Sequence, residues 1–250
     1  MNPHKPFIIG IGGAHSTVGK TSLAAALIRQ LMQHPSYPLG NKPRLGAVKY
    51  TKTELYASLI EDETLIKQED KDTARLSAAG AEKVLWIRSP REELEELLSL
   101  ALSKLAELDG IVIEGNSAIE FAKPDIVIFI FGESKKSTKP SAERLIKQAD
   151  IVIAPGAAET IISSTAKLFT LKDYPYLFDD KAIQGIINLM EEIMKKKEME
   201  HLLKERAVDG KISCTVARKI AEDLDVPYGD VGATANELKI KIKSCELGCF

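Results

Sequence analysis

A glycine-containing run between an apolar segment and a helical pattern constrains this chain more than any other feature. The run reads GGAHSTVGKTS over residues 12–22. The apolar residues 7–11 precede it in the manner of a strand, and residues 23–28 continue it as a helix. A strand, a loop with glycines, a Gly-Lys-Thr sequence and a helix, in that order, predict a site for the phosphates of a nucleotide.

Each part of the loop has an expected role in binding the phosphates or the magnesium ion. Backbone N–H groups of the loop and of the helix start can surround phosphate oxygens. Lys20 is expected to reach the β- and γ-phosphates, and the Thr21 hydroxyl to ligate Mg²⁺. The strict motif has glycine where this chain has Ala14. The predicted nucleotide-binding set is Gly13, Ser16, Thr17, Val18, Gly19, Lys20, Thr21, Ser22 and, from the next strand, Lys49.

Composition and charge argue against several classes of protein. The 250 residues are 44% hydrophobic and can bury a substantial core, while a formal net charge of −2 gives no sign of general nucleic-acid or anionic-membrane binding. No apolar stretch approaches the ~18 residues of a membrane span. A short polar segment before Phe7 and three cysteines, all after residue 213, favour a reducing cytoplasm.

Apolar runs that alternate with helical patterns predict the fold. Continuous apolar segments, typical of strands buried on both faces, occur at 7–11, 45–49, 83–87, 110–113, 125–131 and 151–154. Leucines at helical spacing predict a helix between Arg91 and Leu108. We therefore expect an α/β, three-layer phosphate-loop NTPase fold with a mostly parallel sheet. The polar segment 52–71 is predicted to be mobile near the site.

The remainder of the chain differs in character. A long helix is predicted from Asp179 to about Ala207, and its charged part resembles a linker. The predicted organisation is a phosphate-loop domain over 1–194, a linker helix over 195–206, and a small cysteine-containing module over 207–250.

A carboxylate ends one of the predicted strands. Glu114 follows the apolar residues 110–113 and precedes Gly115, which lets the backbone approach a ligand closely. In phosphate-loop proteins an acid at this position orients the water shell of Mg²⁺ or the attacking group. We therefore predict Glu114 as a catalytic and Mg²⁺-directed residue, against the alternative of a solvated acid. Asp109 precedes the strand and is predicted to be a turn residue.

Four short motifs, in order, resemble the MobB family, the phosphate-loop accessory proteins of molybdopterin-guanine-dinucleotide biosynthesis. These are the phosphate loop, Val48-Lys49-Tyr50, the segment KDTARLSAAGA over 71–81, and Glu114-Gly115. The resemblance covers roughly residues 7–155. It implies binding of GTP and Mg²⁺, a homodimer, and assistance in attaching the nucleotide to molybdopterin, with molybdenum-cofactor enzymes as further partners.

The chain departs from that family after the second strand, where residues 50–52 replace a histidine-rich stretch. The phosphate loop is also similar to that of dethiobiotin synthetase and cobyrinic acid amide synthase, which use ATP to activate carboxylates. No Asn-Lys-x-Asp sequence is present to recognise guanine. The choice between ATP and GTP therefore stays open.

Lys49 and Asp72 each have two interpretations. A lysine at a strand end can extend to solvent, and Asp72 can cap a helix that begins near Thr73. The functional interpretation places Lys49 in nucleotide binding and Asp72 among the catalytic residues, with Lys20 and Glu114. Arg75 lies three residues after Asp72 and would share its helix face.

The C-terminal module has the outline of a helix-turn-helix, with helices predicted over 216–224 and 231–238. Its acidic and basic residues nearly balance, so nucleic-acid binding is disfavoured. A strand predicted over 240–243 would return the last two cysteines toward the first helix. Cys214, Cys245 and Cys249 are therefore candidate ligands for Zn²⁺ or an iron–sulfur cluster, against the alternative of packing cysteines.

Three functions remain open on the sequence. The first is a nucleotide-binding accessory protein of molybdenum-cofactor maturation with weak NTPase activity. The second is an ATP-dependent small-molecule kinase or carboxylate ligase, which an acceptor would stimulate. The third is a regulator that senses a metal or a cluster through its C-terminal module.

Overall fold

The computed structural model describes residues 5–132, 140–155, 166–171 and 178–243. Its main feature is an eight-stranded sheet with the order β3-β4-β2-β5-β1-β6-β7-β8. Only β3 is antiparallel to its neighbour in this sheet, and every other pair is parallel. Helices cover both faces, so the chain has the expected three-layer α/β fold of mostly parallel strands.

The elements of the first part of the chain alternate as the sequence predicts. The strands are β1 (Phe7–Gly13), β2 (Leu45–Lys52), β3 (Ser58–Ile60), β4 (Lys83–Ser89), β5 (Gly110–Glu114), β6 (Ile126–Ile130), β7 (Ile151–Pro155) and β8 (Lys167–Leu171). The helices are α1 (Lys20–Gln33), α2 (Glu63–Ile66), α3 (Asp72–Ala78), α4 (Leu94–Ser103), α5 (Asn116–Ala122), α6 (Pro140–Ile146) and α7 (Asp180–Arg206).

Alternation along the strands divides the core between two faces. Helices α4, α5 and α6 pack on one face, where Leu98, Ile119 and Leu145 join Val48 and Leu85 of the sheet in one buried cluster. Helices α1 and α3 pack on the opposite face. Each inner strand therefore buries both of its sides, which explains the nearly unbroken apolar runs in the sequence.

Strand order decides which strand ends meet. β5 lies between β1 and β2, with Ile11 beside Glu114 on one side and Lys49 beside Glu114 on the other. Because all three strands are parallel, their carboxyl ends lie at one edge of the sheet. The phosphate loop, Glu114 and Lys49 are thus placed side by side by the backbone alone.

The segment predicted to be mobile contains regular structure. Residues 58–60 form the edge strand β3, and residues 63–66 form the short helix α2. The Asp62 carboxylate caps α2 by accepting hydrogen bonds from the backbone N–H groups of Thr64 and Leu65. Both elements are short and lack a continuous apolar run, which accounts for the difference from the sequence-based expectation.

The chain divides into two compact units, one ending at Met190 and one beginning at Glu191. Helix α7 is continuous through this boundary, so the predicted linker at 195–206 lies inside it. The second unit also contains β9 (Lys211–Ser213), α8 (Cys214–Leu224), α9 (Tyr228–Glu237) and β10 (Lys241–Lys243). β9 and β10 pair in parallel, and α8 and α9 form the predicted helix pair.

Candidate functional site

The phosphate loop begins where β1 ends and closes at the first residue of α1. Gly19 precedes α1 with a φ of 98°, and Thr17 has a φ of 66°, both in the left-handed region. A Cβ on Gly13 would come within 2.5 Å of Val18. Gly13 therefore supplies the close approach at the start of the loop, and the buried Ala14 fits where the strict motif has glycine.

Asn116 fixes the loop to the end of the neighbouring strand. Its side-chain oxygen accepts a hydrogen bond from the backbone N–H of Gly13 at 2.9 Å, and its side-chain nitrogen donates to the Gly13 carbonyl at 3.0 Å. This bidentate contact joins the end of β1 to the first residue of α5. Sequence reasoning missed this role, because nothing in the sequence shows that residues 13 and 116 are neighbours.

Thr21 and Glu114 meet directly beneath the loop. The Thr21 hydroxyl donates a hydrogen bond of 2.8 Å to one carboxylate oxygen of Glu114. Both residues are buried, with the Glu114 side chain only 3% exposed. A buried carboxylate requires partners, because the loss of hydration disfavours its charge. Glu114 is therefore a buried carboxylate fixed by a hydrogen bond, rather than a solvated acid at a strand end.

Lys49 supplies the charge that balances this carboxylate. Its ammonium lies 2.5 Å from the second oxygen of Glu114 and 2.6 Å from a carboxylate oxygen of Asp72. The Lys49 side chain is 13% exposed, so it does not extend to solvent. One ammonium thus bridges two carboxylates that are far apart in the sequence.

Asp72 does not cap a helix. Helix α3 begins at Asp72 itself, its N-cap is Lys71, and no side chain caps it. Burial works against the ionised form of Asp72, but the hydrogen bond and charge of Lys49 outweigh it and hold the pKa of this carboxyl below its ordinary value. Asp72 is therefore an anion of the site.

Two further cations border the loop. The Lys20 ammonium donates a 2.8 Å hydrogen bond to the carbonyl of His15, which keeps it folded against the loop. Arg75, one turn after Asp72 on α3, donates to the Ser22 hydroxyl at 2.9 Å. The helix face that Asp72 and Arg75 were expected to share therefore points toward the start of α1.

These groups line one open cavity of about 720 Å³. Of the predicted site residues, Ser16, Thr17, Gly19, Lys20, Thr21, Ser22, Lys49, Asp72 and Glu114 line it. Gly13 and Val18 do not line the cavity. They contribute to the loop through their close packing against each other. The cavity contains the basic side chains of Lys20, Lys49, Lys52 and Arg75 and the carboxylates of Asp72 and Glu114. This excess of positive charge suits a polyanion.

Several lining residues were absent from the sequence-based prediction. These are His15, Tyr50, Thr51, Lys52, Arg75, Gly115, Asn116, Ser117 and Ser141. They occupy the phosphate loop, the carboxyl ends of β2 and β5, helix α3, and the starts of α5 and α6. The lining residues next to Lys49 and Glu114 could have been predicted, because they are polar residues at the ends of predicted strands. Ser141 does not follow a predicted strand, so no pattern in the sequence indicated its place in the cavity.

The cysteine prediction lies largely outside the described residues. Cys214 is buried at the first position of α8, whereas Cys245 and Cys249 lie beyond residue 243, where the description ends. Within the described ranges, no group of three or more His, Cys, Asp or Glu side chains is arranged to hold a metal ion. The Zn²⁺ or iron–sulfur site therefore stays a prediction without structural support.

The sequence predicts no segment long and apolar enough to span a membrane. Over the described ranges, none of the helices combines the length and the apolarity that crossing a membrane requires.

Comparison with known proteins gives only distant likenesses. No family model and no curated protein matches the chain. A plasmid partition protein from Borrelia burgdorferi is 16% identical, with a TM-score of 0.45, over 77% of this chain and 99% of that one. A LAO/AO transport system kinase is 13% identical, with a TM-score of 0.43, over 95% of this chain and 84% of that one. At these identities and TM-scores, function must be inferred from the site itself.

Proposed function

We propose that this chain binds a Mg²⁺-complexed nucleoside triphosphate in the 720 Å³ cavity and cleaves its terminal phosphate slowly on its own. The observation that carries the proposal is the hydrogen bond from Thr21 to Glu114 directly below a glycine-containing loop that opens α1. The arrangement supports the proposal, because a bound triphosphate and its metal need a hydroxyl, a carboxylate and a set of backbone N–H groups close together.

The residues present fit a magnesium ion. Mg²⁺ prefers oxygen ligands, usually one or two protein groups together with water and phosphate oxygens. The Thr21 hydroxyl, Glu114 and Asp72 offer oxygens of this kind in one cavity. A bound Mg²⁺ would neutralise charge that develops on the phosphate oxygens.

Binding of the phosphates and orientation of water would fall to groups of the protein itself. The loop N–H groups would hold the phosphates, and Lys20 would exchange the His15 carbonyl for a phosphate oxygen. Glu114 would orient water on the metal side, and Lys49 would hold both carboxylates in position. Because Lys49 holds both carboxylates of the cavity, Asp72 and Glu114, neither is a free base, and hydrolysis without a further partner is expected to be slow.

Calorimetry with Mg·AMPPNP and Mg·GMPPNP tests the proposal. We expect one nucleotide per chain to bind with a Kd in the micromolar range or tighter, and we expect binding to weaken when Mg²⁺ is removed. Absence of binding by both nucleotides would overturn the proposed function. The ratio of the two affinities identifies the base that the site prefers.

A finer proposal concerns the biological role. The motifs that resemble the MobB family place Lys49, Asp72, Arg75 and Glu114 around the same cavity as the phosphate loop. This convergence supports a MobB-like accessory protein of molybdenum-cofactor biosynthesis, acting as a homodimer. Such a protein should bind the nucleotide tightly, turn it over weakly, and show no stimulation by small acceptors.

A second candidate function has an observation in its favour. A smaller cavity of about 220 Å³ adjoins the nucleotide cavity, and the two share Lys49, Thr51 and Asp72. A protein that only binds a nucleotide has no need of this space, whereas a small-molecule kinase or carboxylate ligase does. Stimulation of turnover by an acceptor would decide for this candidate.

A further inference from the structure

The strand order places the smaller cavity on the far side of Lys49 from the phosphate loop. Along the carboxyl edge, β1 is followed by β5, then β2, then β4. These strands carry the loop, Glu114, Lys49 and Trp86, and Lys49 pairs in register with both Glu114 and Trp86. At about 4.8 Å between neighbouring strands, Trp86 lies about 14 Å from the start of the loop.

Trp86 forms a fixed wall of this cavity. Its indole N–H donates a 3.0 Å hydrogen bond to the Thr51 hydroxyl oxygen. The Arg88 guanidinium lies 5.0 Å from the centre of the Trp86 ring and 4.8 Å from that of Tyr56. These contacts hold the indole before any ligand arrives, so the cavity has a preformed apolar wall.

The remaining lining supplies donors for one anion. Thr51 accepts from Trp86, so its own O–H is left to donate, and it lies where the two cavities meet. Lys71 lines the smaller cavity, and within the described part of the chain its ammonium forms no ion pair or hydrogen bond. The exposed carboxylate of Asp70 also lines the cavity and disfavours a second negative group on the ligand.

Asp70 lines only the smaller cavity, and none of the described residues that line both cavities is a free base. Asp72 is the one carboxylate among the described residues that lines both cavities, and it is held by Lys49 at 2.6 Å. An alcohol or amine acceptor would need a base to take its proton. A carboxylate acceptor is already ionised and needs none.

From this geometry we propose that the cavity between Thr51, Lys71 and Trp86 binds a small monocarboxylate that accepts the terminal phosphoryl group of the nucleotide. The inference rests on the proposed nucleotide binding and develops the second candidate function, the small-molecule kinase or carboxylate ligase, rather than the MobB-like role. A carboxylate oxygen attacks the γ-phosphorus, the bond from that phosphorus to the β–γ bridging oxygen breaks, and the nucleoside diphosphate leaves with the electron pair. The products are an acyl phosphate and the diphosphate, and no proton is transferred.

The single tryptophan of the chain makes the binding step directly measurable. Benzoate is the probe, because it is flat, small and singly charged. With the full chain loaded with Mg·AMPPNP or Mg·GMPPNP, whichever binds more tightly, we expect saturable quenching of the Trp86 emission by benzoate. Benzamide, which lacks the charge, and phthalate, which carries a second one, should bind at least about tenfold more weakly.

Substitutions separate the proposed cavity from general effects. Lys71→Met and Thr51→Val should each weaken benzoate at least about tenfold, with folding confirmed by circular dichroism. Lys147→Met is the matched control, because Lys147 is exposed and lines neither cavity. Equal quenching by benzoate, benzamide and phthalate, or an unchanged response in both variants, would overturn the proposed site.

The transfer step has its own readout. With Mg·ATP or Mg·GTP, benzoate and hydroxylamine, an acyl phosphate is trapped as benzohydroxamate in amounts equal to the diphosphate released above background. Benzoate binding without hydroxamate would contradict the acceptor role. Nucleotide binding by calorimetry without any response of Trp86 to benzoate would overturn the cavity proposal alone, whereas loss of nucleotide binding itself would overturn the proposed function.

Discussion

The two halves of the candidate site are built by different means. Around the loop, between β1 and β5, the contacts come from the backbone, from Asn116 and from the buried pair Thr21 and Glu114. Around β2, β4 and the start of α3, the contacts come from longer side chains, and Asp72 is 46% exposed where Glu114 is 3% exposed. Lys49 touches both halves.

This difference is the one expected if the first half binds a triphosphate and the second binds an acceptor, as proposed. A triphosphate is the same in every reaction, so rigid N–H groups and a buried carboxylate recognise it without needing adjustable side chains. An acceptor differs from one protein to the next, and it requires side chains that can be exchanged without disturbing the sheet. Substitutions in the first half should therefore remove nucleotide chemistry, whereas substitutions in the second should change stability and selectivity.

The largest effect is expected for Lys20→Ala. Removal of this ammonium takes away a charge-assisted contact to the phosphates, and we expect the nucleotide affinity to fall by about 100-fold or more. The far-ultraviolet circular dichroism should stay unchanged, because the Lys20 ammonium bonds a loop carbonyl, that of His15, and the side chain is not part of the buried core. Calorimetry on this variant and on Lys147→Ala makes the comparison, and wild-type affinity in Lys20→Ala would refute the phosphate-loop assignment.

The next effect in size is expected for Glu114→Gln. The amide can still accept the Thr21 hydrogen bond, but it loses the charge that acts on the metal side during phosphoryl transfer. We expect turnover to fall by about 100-fold, with a much smaller change in nucleotide affinity. Glu96→Gln, on the exposed face of α4, is the control. Turnover at the wild-type rate in Glu114→Gln would make Glu114 a structural residue only.

The inner strands of the fold were predictable because their apolar runs are continuous. β1, β2, β4, β5, β6 and β7 all coincide with runs in the sequence, since burial on both faces leaves no polar positions. The edge strands β3 and β8 were missed. Both carry partly exposed residues, and β3 has only three residues, so neither produces a clear pattern.

The candidate site was predictable only as separate pieces. Lys20 and Thr21 follow from a local motif, and Glu114 from its place at a strand end. That Lys49 bridges Glu114 and Asp72 depends on β5 lying between β1 and β2, which no local pattern encodes. The wall formed by Trp86 and Arg88 has the same origin, because β4 must first be placed beside β2.

Lys49→Met tests whether one cation holds the two halves together. Methionine keeps most of the volume but leaves the buried Glu114 and the half-exposed Asp72 without a counter-charge. Because one carboxylate is buried and the other is screened by solvent, we expect the free energy of unfolding to fall by about 2 kcal/mol at neutral pH. Lys83→Met, which removes an exposed ion pair to Glu61, should change it by less than about 0.5 kcal/mol. Urea-induced unfolding measures both variants, and equal losses of unfolding free energy in Lys49→Met and Lys83→Met would refute the bridging role.

The smallest effect is expected for Asp72→Asn, and it depends on pH. The Lys49 ammonium holds the pKa of Asp72 below its ordinary value of 3.8, despite burial. The stability that the ionised Asp72 contributes is therefore complete above about pH 4 and is lost as the pH falls through the lowered pKa. At neutral pH the variant should melt about 2 °C below the wild type, because the side chain is partly screened by solvent. Toward pH 3 the two melting temperatures should converge, since protonation removes the same charge from the wild type. A difference that stays constant between pH 7 and pH 3 would show that Asp72 contributes through packing rather than through its charge beside Lys49.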